Sequence, residues 1–121
     1  MKAEIIAVGT ELLTPDFQDT NSLHLAAGLN TIGLGVSVKT IVGDDERDLS
    51  RVLRTALGRS RLVLCMGGLG PTEDDRTRET LAKVLKRKLV FREAIRARIK
   101  ERFSRRGLSM PSSNLKQCYI I

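Results

Sequence analysis

Short apolar runs alternate with segments of helical periodicity, and this alternation constrains the fold more than any other feature. "AEIIAV" (3–8), "VSVKTIVG" (36–43) and "RLVLCMGG" (61–68) are rich in β-branched or aliphatic residues and are bounded by glycine, which predicts three buried strands. Strands that alternate with helices favour parallel pairing through right-handed crossovers. The pattern therefore predicts a layered α/β domain with a mainly parallel sheet.

Four helices are predicted between and after these strands. Apolar residues recur at helical spacing in each segment, as in Phe91, Ile95, Ile99 and Phe103. Capping residues and glycines suggest where each helix begins and ends. The predicted boundaries are Thr20 or Asn21 to Gly33, Asp44 or Asp45 to Gly58, residues 74–86, and Phe91 to Arg106.

Length and composition indicate one domain over residues 1–121. The chain is 41% hydrophobic and contains no apolar run long enough to cross a membrane. The amino-terminal residues make a poor signal peptide, so a cytoplasmic location is expected. Cys65, Cys118 and the single His24 lack metal-ligand spacing, and packing roles are expected for them. The last apolar residues are expected to stop inside a structural element, which would leave the domain truncated at that end.

The net charge of +7 is unevenly distributed. Acidic residues predominate in the first 75 positions, whereas basic residues predominate in residues 76–106. Arg92, Arg96 and Lys100 form a basic stripe on the fourth helix, so nucleic-acid binding is a minor alternative function. With only 3% aromatic residues there is no base-stacking platform, and a solvated helix face is the commoner explanation.

Each predicted strand is followed by glycine and then by acidic residues. Because parallel strands end at the same edge of a sheet, where open α/β sheets bind ligands, these loops are expected to share one cleft. This arrangement predicts a phosphate- or nucleotide-type site. The acidic residues are Glu11, Asp16 and Asp19 after strand one, Asp44 and Asp45 after strand two, and Asp74 and Asp75 after strand three.

"MGGLGPTEDDRTRET" (66–80) is the most informative of these loops. Gly67, Gly68 and Gly70 allow sharp turns and close approach to a ligand, and Thr72 with Asp75 matches a capping box. Backbone N–H groups at the start of the following helix would favour an anion. The structural alternatives are that the glycines only make a turn and that the aspartates only cap the helix.

Several motifs together resemble the amino-terminal domain of the CinA (competence/damage-inducible) proteins, which is related to the molybdopterin-binding MoaB/Mog group. They are "AEIIAVGTELL", "DTNS", "VGDDE", "GGLGPTEDDRTRETLA" and "KLVF", in register over nearly the whole chain. The resemblance implies a three-layer α/β/α fold and self-association as a dimer or trimer. Its signature positions here are Gly67, Gly68, Gly70, Thr72, Asp74, Asp75, Glu11, Asn21 and Asp44.

The resemblance also implies an activity, the metal-dependent hydrolysis of ADP-ribose to AMP and ribose 5-phosphate. Many CinA proteins carry a second domain that deamidates nicotinamide mononucleotide, and that activity is not expected of residues 1–121. Two departures from the family pattern are visible. The chain has "ELLTPD" where many relatives have "ELLLGQ". The resemblance also implies further strands and a glycine loop after the last residues, which are expected to be missing here.

The leading hypothesis is therefore pyrophosphate hydrolysis with Mg²⁺, a cation that prefers oxygen ligands. Asp44, Asp74 and Asp75 are predicted to hold the metal, with Glu11 as a further catalytic carboxylate. Arg76 or Arg78 would neutralise developing charge. The alternative is a pterin- or molybdopterin-binding domain that uses the same cleft without pyrophosphatase activity.

Overall fold

A computed structural model describes residues 2–121 and has a three-stranded parallel sheet at its centre. The middle strand is β1 (Lys2–Val8), which pairs with β2 (Gly35–Val42) on one side and with β3 (Leu62–Met66) on the other. Both pairings are parallel, as the alternation of strands and helices predicts. Residues 3–8 of the central strand are buried, consistent with their near-continuous apolar character.

Helices cover both faces of this sheet. Helix α1 (Thr20–Thr31) packs on one face, where Ala3 and Ile5 of β1 meet Leu29. Helices α2 (Glu46–Arg59) and α3 (Thr77–Leu85) pack on the other face. The core of that face contains Ile6, Val8, Val42, Leu49, Leu53 and Ala56. Alternate residues of β1 thus enter separate cores, which confirms the three-layer α/β/α arrangement.

A smaller unit follows the three layers. Strand β4 (Val90–Phe91) pairs antiparallel with β5 (Tyr119–Ile120), and α4 (Glu93–Ser104) lies between them in the chain. The rings of Phe91 and Tyr119 meet edge to face with centroids 5.3 Å apart. A 3₁₀ segment, Ser112–Cys118, leads into β5. The final apolar residues therefore pair with residues 90–91 in a two-stranded antiparallel sheet.

Boundaries of all four helices differ from the predictions. Helix α4 begins at Glu93, not at Phe91, because Phe91 is paired in β4, and it ends at Ser104, not at Arg106. The cap of α1 is Asp19 rather than Thr20 or Asn21, because the Asp19 carboxylate accepts from the Ser22 N–H. Helix α2 starts after Asp45 as predicted, but it continues through Gly58 to Arg59, since a glycine with α-helical neighbours does not itself end a helix.

Helix α3 begins at Thr77, not at residue 74, and Thr72 with Asp75 does not cap it. Those two residues instead close a separate turn before the helix, in which the Asp75 N–H donates to the Thr72 carbonyl. None of the helices among residues 2–121 has the length and apolarity that a membrane span requires.

Candidate ligand-binding site

The loops that follow β1 and β2 are joined at the carboxyl edge of the sheet. The Thr10 N–H donates to Oδ2 of Asp44 at 3.1 Å, and the Asp44 N–H donates to Oγ1 of Thr10 at 3.1 Å. This reciprocal pair fixes the separation of two loops that are 34 residues apart in the chain. The convergence of these loops at one edge was predicted from the sequence.

The first opening at this edge is a cavity of about 400 Å³, here called the edge cavity. It lies between the ends of β1 and β3 and the first turn of α1. Of the residues selected from the sequence, Glu11, Asn21 and Gly67 line it. Asp19, which was expected among the acidic residues of this edge but given no specific role, and His24, for which a packing role was expected, also line it. Its lining is therefore acidic and polar on the α1 side, with apolar contacts from the strand ends.

Asp19 lines the edge cavity and has one carboxylate oxygen without a hydrogen bond. Its Oδ1 accepts from the Ser22 N–H at 3.0 Å, whereas its Oδ2 is buried and has no hydrogen-bond partner among residues 2–121. The ammonium group of Lys39 lies 3.8 Å from Oδ2, and the Asp19 side chain is 4% exposed. Burial raises the pKa of Asp19, but the Ser22 hydrogen bonds and the Lys39 charge outweigh it and hold the pKa below its usual value. Buried carboxylate oxygens normally accept at least one hydrogen bond, and here a ligand would supply the missing donor.

The second opening is a more open cleft of about 700 Å³, here called the Asp44–Asp74 cleft. Asp44, Asp74 and Arg76, all selected from the sequence, line it together with Arg47. Asp45 also lines this cleft, but its carboxylate caps α2 by accepting from the N–H groups of Arg47 and Asp48. The hydrogen bond from the Asp48 N–H is the main reason that the pKa of Asp45 is lowered.

The glycine loop between β3 and α3 needs residues without a side chain at two successive positions. Gly67 and Gly68 have φ angles of +86° and +64°. A Cβ on Gly67 would overlap the Val8 carbonyl oxygen, and one on Gly68 would overlap Oγ1 of Thr77. The Thr77 hydroxyl donates to the Gly67 carbonyl at 2.7 Å, and its N–H donates to the Gly68 carbonyl at 3.1 Å. The loop is thus folded tightly onto the start of α3.

Asp75 faces this loop rather than either opening. Its Oδ2 accepts from the Thr72 N–H at 3.0 Å and from the Thr72 hydroxyl at 2.7 Å. Burial raises the pKa of Asp75, but the hydrogen bonds from Thr72 and Gly70 outweigh it, so the pKa lies below its usual value. The same oxygen would lie 2.5 Å from a Cβ at Gly70. Asp75 therefore stabilises the loop through its hydrogen bonds with Thr72 and lines neither opening.

The predicted set of three metal ligands does not form a protein-only metal site. No group of three or more His, Cys, Asp or Glu side chains is arranged to hold a metal ion within residues 2–121. Asp44 and Asp74 share a cleft, but Asp75 is engaged by Thr72. Only two of the predicted carboxylates are therefore available at the cleft.

Arg78 contacts the glycine loop but lines neither the edge cavity nor the Asp44–Asp74 cleft. Its Nη2 donates to the Gly70 carbonyl at 3.3 Å. Two side chains from the 3₁₀ segment also hold this loop, with Lys116 Nζ 2.6 Å from the Thr72 carbonyl and Gln117 Nε2 3.4 Å from the Leu69 carbonyl. These long-range contacts were not predicted, because no local pattern links residues 116 and 117 to a loop 44 or more positions earlier.

The residues selected from the sequence thus separate into three groups. Asp19 was expected at this edge of the sheet, but its specific role was missed, and its position before Thr-Asn-Ser at a helix start was the signal that could have identified it as the cap. The edge cavity contains Glu11, Asn21 and Gly67; the Asp44–Asp74 cleft contains Asp44, Asp74 and Arg76; and Gly68, Gly70, Thr72, Asp75 and Arg78 build or support the loop.

Comparison with known proteins agrees with this architecture. A family model described as a probable molybdopterin binding domain matches residues 4–119. A CinA-like protein of Koribacter versatilis is 50% identical over all 121 residues, and one of Solibacter usitatus is 45% identical over the same length. In both cases the chain spans 29% of the relative's length.

Solved structures show the same fold. The CinA protein of Thermoplasma acidophilum superposes with a TM-score of 0.87 at 33% identity, over 99% of this chain and 70% of that one. The molybdopterin biosynthesis enzyme MoaB of Thermus thermophilus superposes with a TM-score of 0.66 at 25% identity, over 96% of this chain and 70% of that one.

Proposed function

Because the chain belongs to the molybdopterin-binding-domain family, we propose that it binds a phosphate-bearing pterin in the edge cavity. The observation that supports this most directly is the buried Oδ2 of Asp19, which accepts no hydrogen bond within residues 2–121 and has only the Lys39 ammonium group near it, at 3.8 Å. A pterin ring presents adjacent N–H donors along one edge, and a carboxylate is the acceptor that pairs best with such donors.

The surroundings of Asp19 suit such a ligand. Glu11 adds a second acidic acceptor, Asn21 adds an amide, and the end of β3 supplies Met66 as an apolar wall for a flat ring. Gly67 lines the same cavity and exposes its main chain there, so the glycine loop lies within reach of a ligand's phosphate. The cavity volume of about 400 Å³ lies in the range of small-molecule sites.

Titration with neopterin triphosphate, a fluorescent phosphate-bearing pterin, tests this proposal. The chain has no tryptophan, so protein emission does not obscure the ligand signal. In Asp19→Asn, the amide oxygen must face the Ser22 N–H, which turns the NH₂ group toward the ligand's donors. We expect at least about tenfold weaker binding, while α1 keeps a good cap.

The matched control is Asp16→Asn, which makes the same charge change on an exposed residue of the same loop. Its affinity is expected to equal that of the wild type. The proposal is wrong if the pterin signal does not saturate, or if Asp16→Asn weakens binding as much as Asp19→Asn.

Hydrolysis of ADP-ribose with Mg²⁺ is the second candidate function. The Asp44–Asp74 cleft favours it, because the carboxylates of Asp44 and Asp74 lie there with Arg47 and Arg76, whereas Asp45 caps α2 and Glu46 is paired with Lys83. Asp44 and Asp74 would be the protein ligands, and the substrate's diphosphate would have to supply others, as is usual for Mg²⁺. When bound, the cation would neutralise phosphate charge, and the two arginines would hold the diphosphate.

Release of AMP from ADP-ribose, measured with and without Mg²⁺, tests this second candidate. Asp74→Asn is expected to abolish it, whereas Asp48→Asn, on an exposed residue of α2 outside the cleft, is expected to preserve it. Absence of AMP from the wild type, or equal rates for wild type and Asp74→Asn, would eliminate hydrolysis and leave pterin binding unaffected.

A further inference from the structure

A third cavity, of about 470 Å³, lies on the other side of α3 from the Asp44–Asp74 cleft, between α3, α4 and the 3₁₀ segment. We call it the arginine cavity, because Arg78, Arg102 and Arg106 line it. No acidic side chain is among its lining residues. Within residues 2–121, Arg102 and Arg106 form no ion pair, whereas the neighbouring Arg105 is paired with Glu101. Three guanidinium groups without a carboxylate create a site for an anion.

Arg78 provides a second, independent observation at this cavity. Its Nε is buried and has no hydrogen-bond partner, although its Nη2 donates to the Gly70 carbonyl. A buried guanidinium N–H without an acceptor is costly unless a ligand or water supplies one. Arg78 therefore lines the cavity and carries one donor without an acceptor.

The remaining lining indicates what kind of anion would fit. Ile99, Phe103 and Leu108 form an apolar side, and Leu108 is 58% exposed. Asn114 and Gln117 line the polar side and are joined by a hydrogen bond from Nδ2 to Oε1 at 2.8 Å. A site with cationic, amide and apolar walls suits an anion that carries a small apolar body.

We propose that the arginine cavity binds an organic phosphate with an apolar or aromatic group and that its occupancy is linked to the glycine loop. The link is direct. Arg78 and Gln117 line the cavity, and both also donate to carbonyls of the loop, at Gly70 and Leu69. A phosphate that draws either side chain toward itself alters a hydrogen bond to the loop that borders the edge cavity.

Phenyl phosphate is a suitable probe, titrated against ¹⁵N-labelled protein by NMR. The buried Nε–H of Arg78 is expected to shift saturably, together with the amide signals of residues 69–72. Inorganic phosphate is expected to bind more weakly, because it leaves the apolar wall uncovered. Benzyl alcohol, which lacks the charge, is expected not to bind.

The double variant Arg102→Gln/Arg106→Gln is expected to weaken phenyl phosphate binding by about tenfold or more. Arg98→Gln is the control, because it removes a charge from the same helix at an exposed residue outside the cavity. Equal losses in both variants would show general surface attraction, and the absence of a saturable Arg78 shift would show that no site exists. Either result overturns the proposal. Amide signals of residues 69–72 that remain unchanged at saturation would refute the link to the loop.

Discussion

Arg59, the last residue of α2, binds the buried carboxylate of Glu4 in β1 through two parallel hydrogen bonds. Nε donates to Oε1 at 2.7 Å and Nη2 donates to Oε2 at 3.0 Å. The Ser60 hydroxyl donates to Oε1 at 2.5 Å, and Glu4 is 1% exposed. The Arg59 hydrogen bonds are the main cause of the lowered pKa of Glu4. This contact joins α2 to the central strand at the sheet edge opposite the candidate ligand site.

Replacement of Arg59 by methionine is expected to lower the free energy of unfolding by about 2 kcal/mol at neutral pH, because it leaves a buried carboxylate with Ser60 as its remaining side-chain donor. This loss of stability is smaller than the loss expected on breaking a fully buried ion pair, since the Arg59 side chain is 50% exposed. Urea unfolding measures it, with Arg54→Met on the exposed side of α2 as the control.

The Glu4–Arg59 ion pair also predicts how the free energy of unfolding depends on pH. The folded pKa of Glu4 lies below its unfolded value of 4.5, so its ionisation stabilises the fold above that pH. This contribution disappears as the pH falls through the folded pKa. Without Arg59, burial raises the pKa of Glu4 in the folded variant, so the stability difference between wild type and Arg59→Met is expected to shrink as the pH falls through that raised pKa and to continue shrinking down to the lowered pKa of the wild type. A difference that grows on acidification would contradict the assignment.

Two glycine substitutions are expected to act in opposite directions. Gly58→Ala should stabilise the protein by up to about 1 kcal/mol, because Gly58 is inside α2 and a Cβ there meets nothing within 4 Å. Gly68→Ala should destabilise it by at least about 1 kcal/mol, because φ is +64° and the methyl group would overlap Thr77. Thermal unfolding of both variants beside the wild type checks the pair. A stabilising Gly68→Ala would show that the loop does not need its observed shape.

Asp75 and Gly70 are expected to act through one mechanism. Asp75→Ala removes the acceptor for two Thr72 donors, and Gly70→Ala displaces the same carboxylate. Each substitution should loosen the loop and weaken binding of the pterin probe. The double variant should be less impaired than the sum of the two single effects in kcal/mol. Full additivity, measured by fluorescence titration, would show that the two residues act independently.

Pterin binding is expected to persist in mildly acidic solution. The pKa of Asp19 lies below its usual value of 3.8, so the carboxylate that would accept the ligand's N–H groups stays ionised. Between pH 7 and pH 5 the titration of Asp19 should therefore not change the affinity. Loss of affinity across this range in the wild type would contradict an ionised Asp19 as the acceptor of the ligand's N–H groups.

The sequence carried enough local information to predict most of the fold. The three parallel strands, the Asp45 cap of α2 and the convergence of three loops at one edge follow from periodicity, capping preference and strand direction. The predicted start of α3 was wrong because Thr72 and Asp75 form hydrogen bonds with each other in a separate turn before the helix. Capping-box spacing alone does not distinguish that turn from a helix start.

The sequence by itself determined the alternation of strands and helices, the need for glycine between β3 and α3, and the acidic character of the loops, because these depend on near neighbours in the chain. Only the tertiary structure decided how the acidic residues are used. It places Asp19 beside the edge cavity and Asp44 with Asp74 in a separate cleft, and it commits Asp75 to the loop. The direction and burial of each carboxylate depend on packing between segments distant in sequence, and local pattern carries no information about such packing.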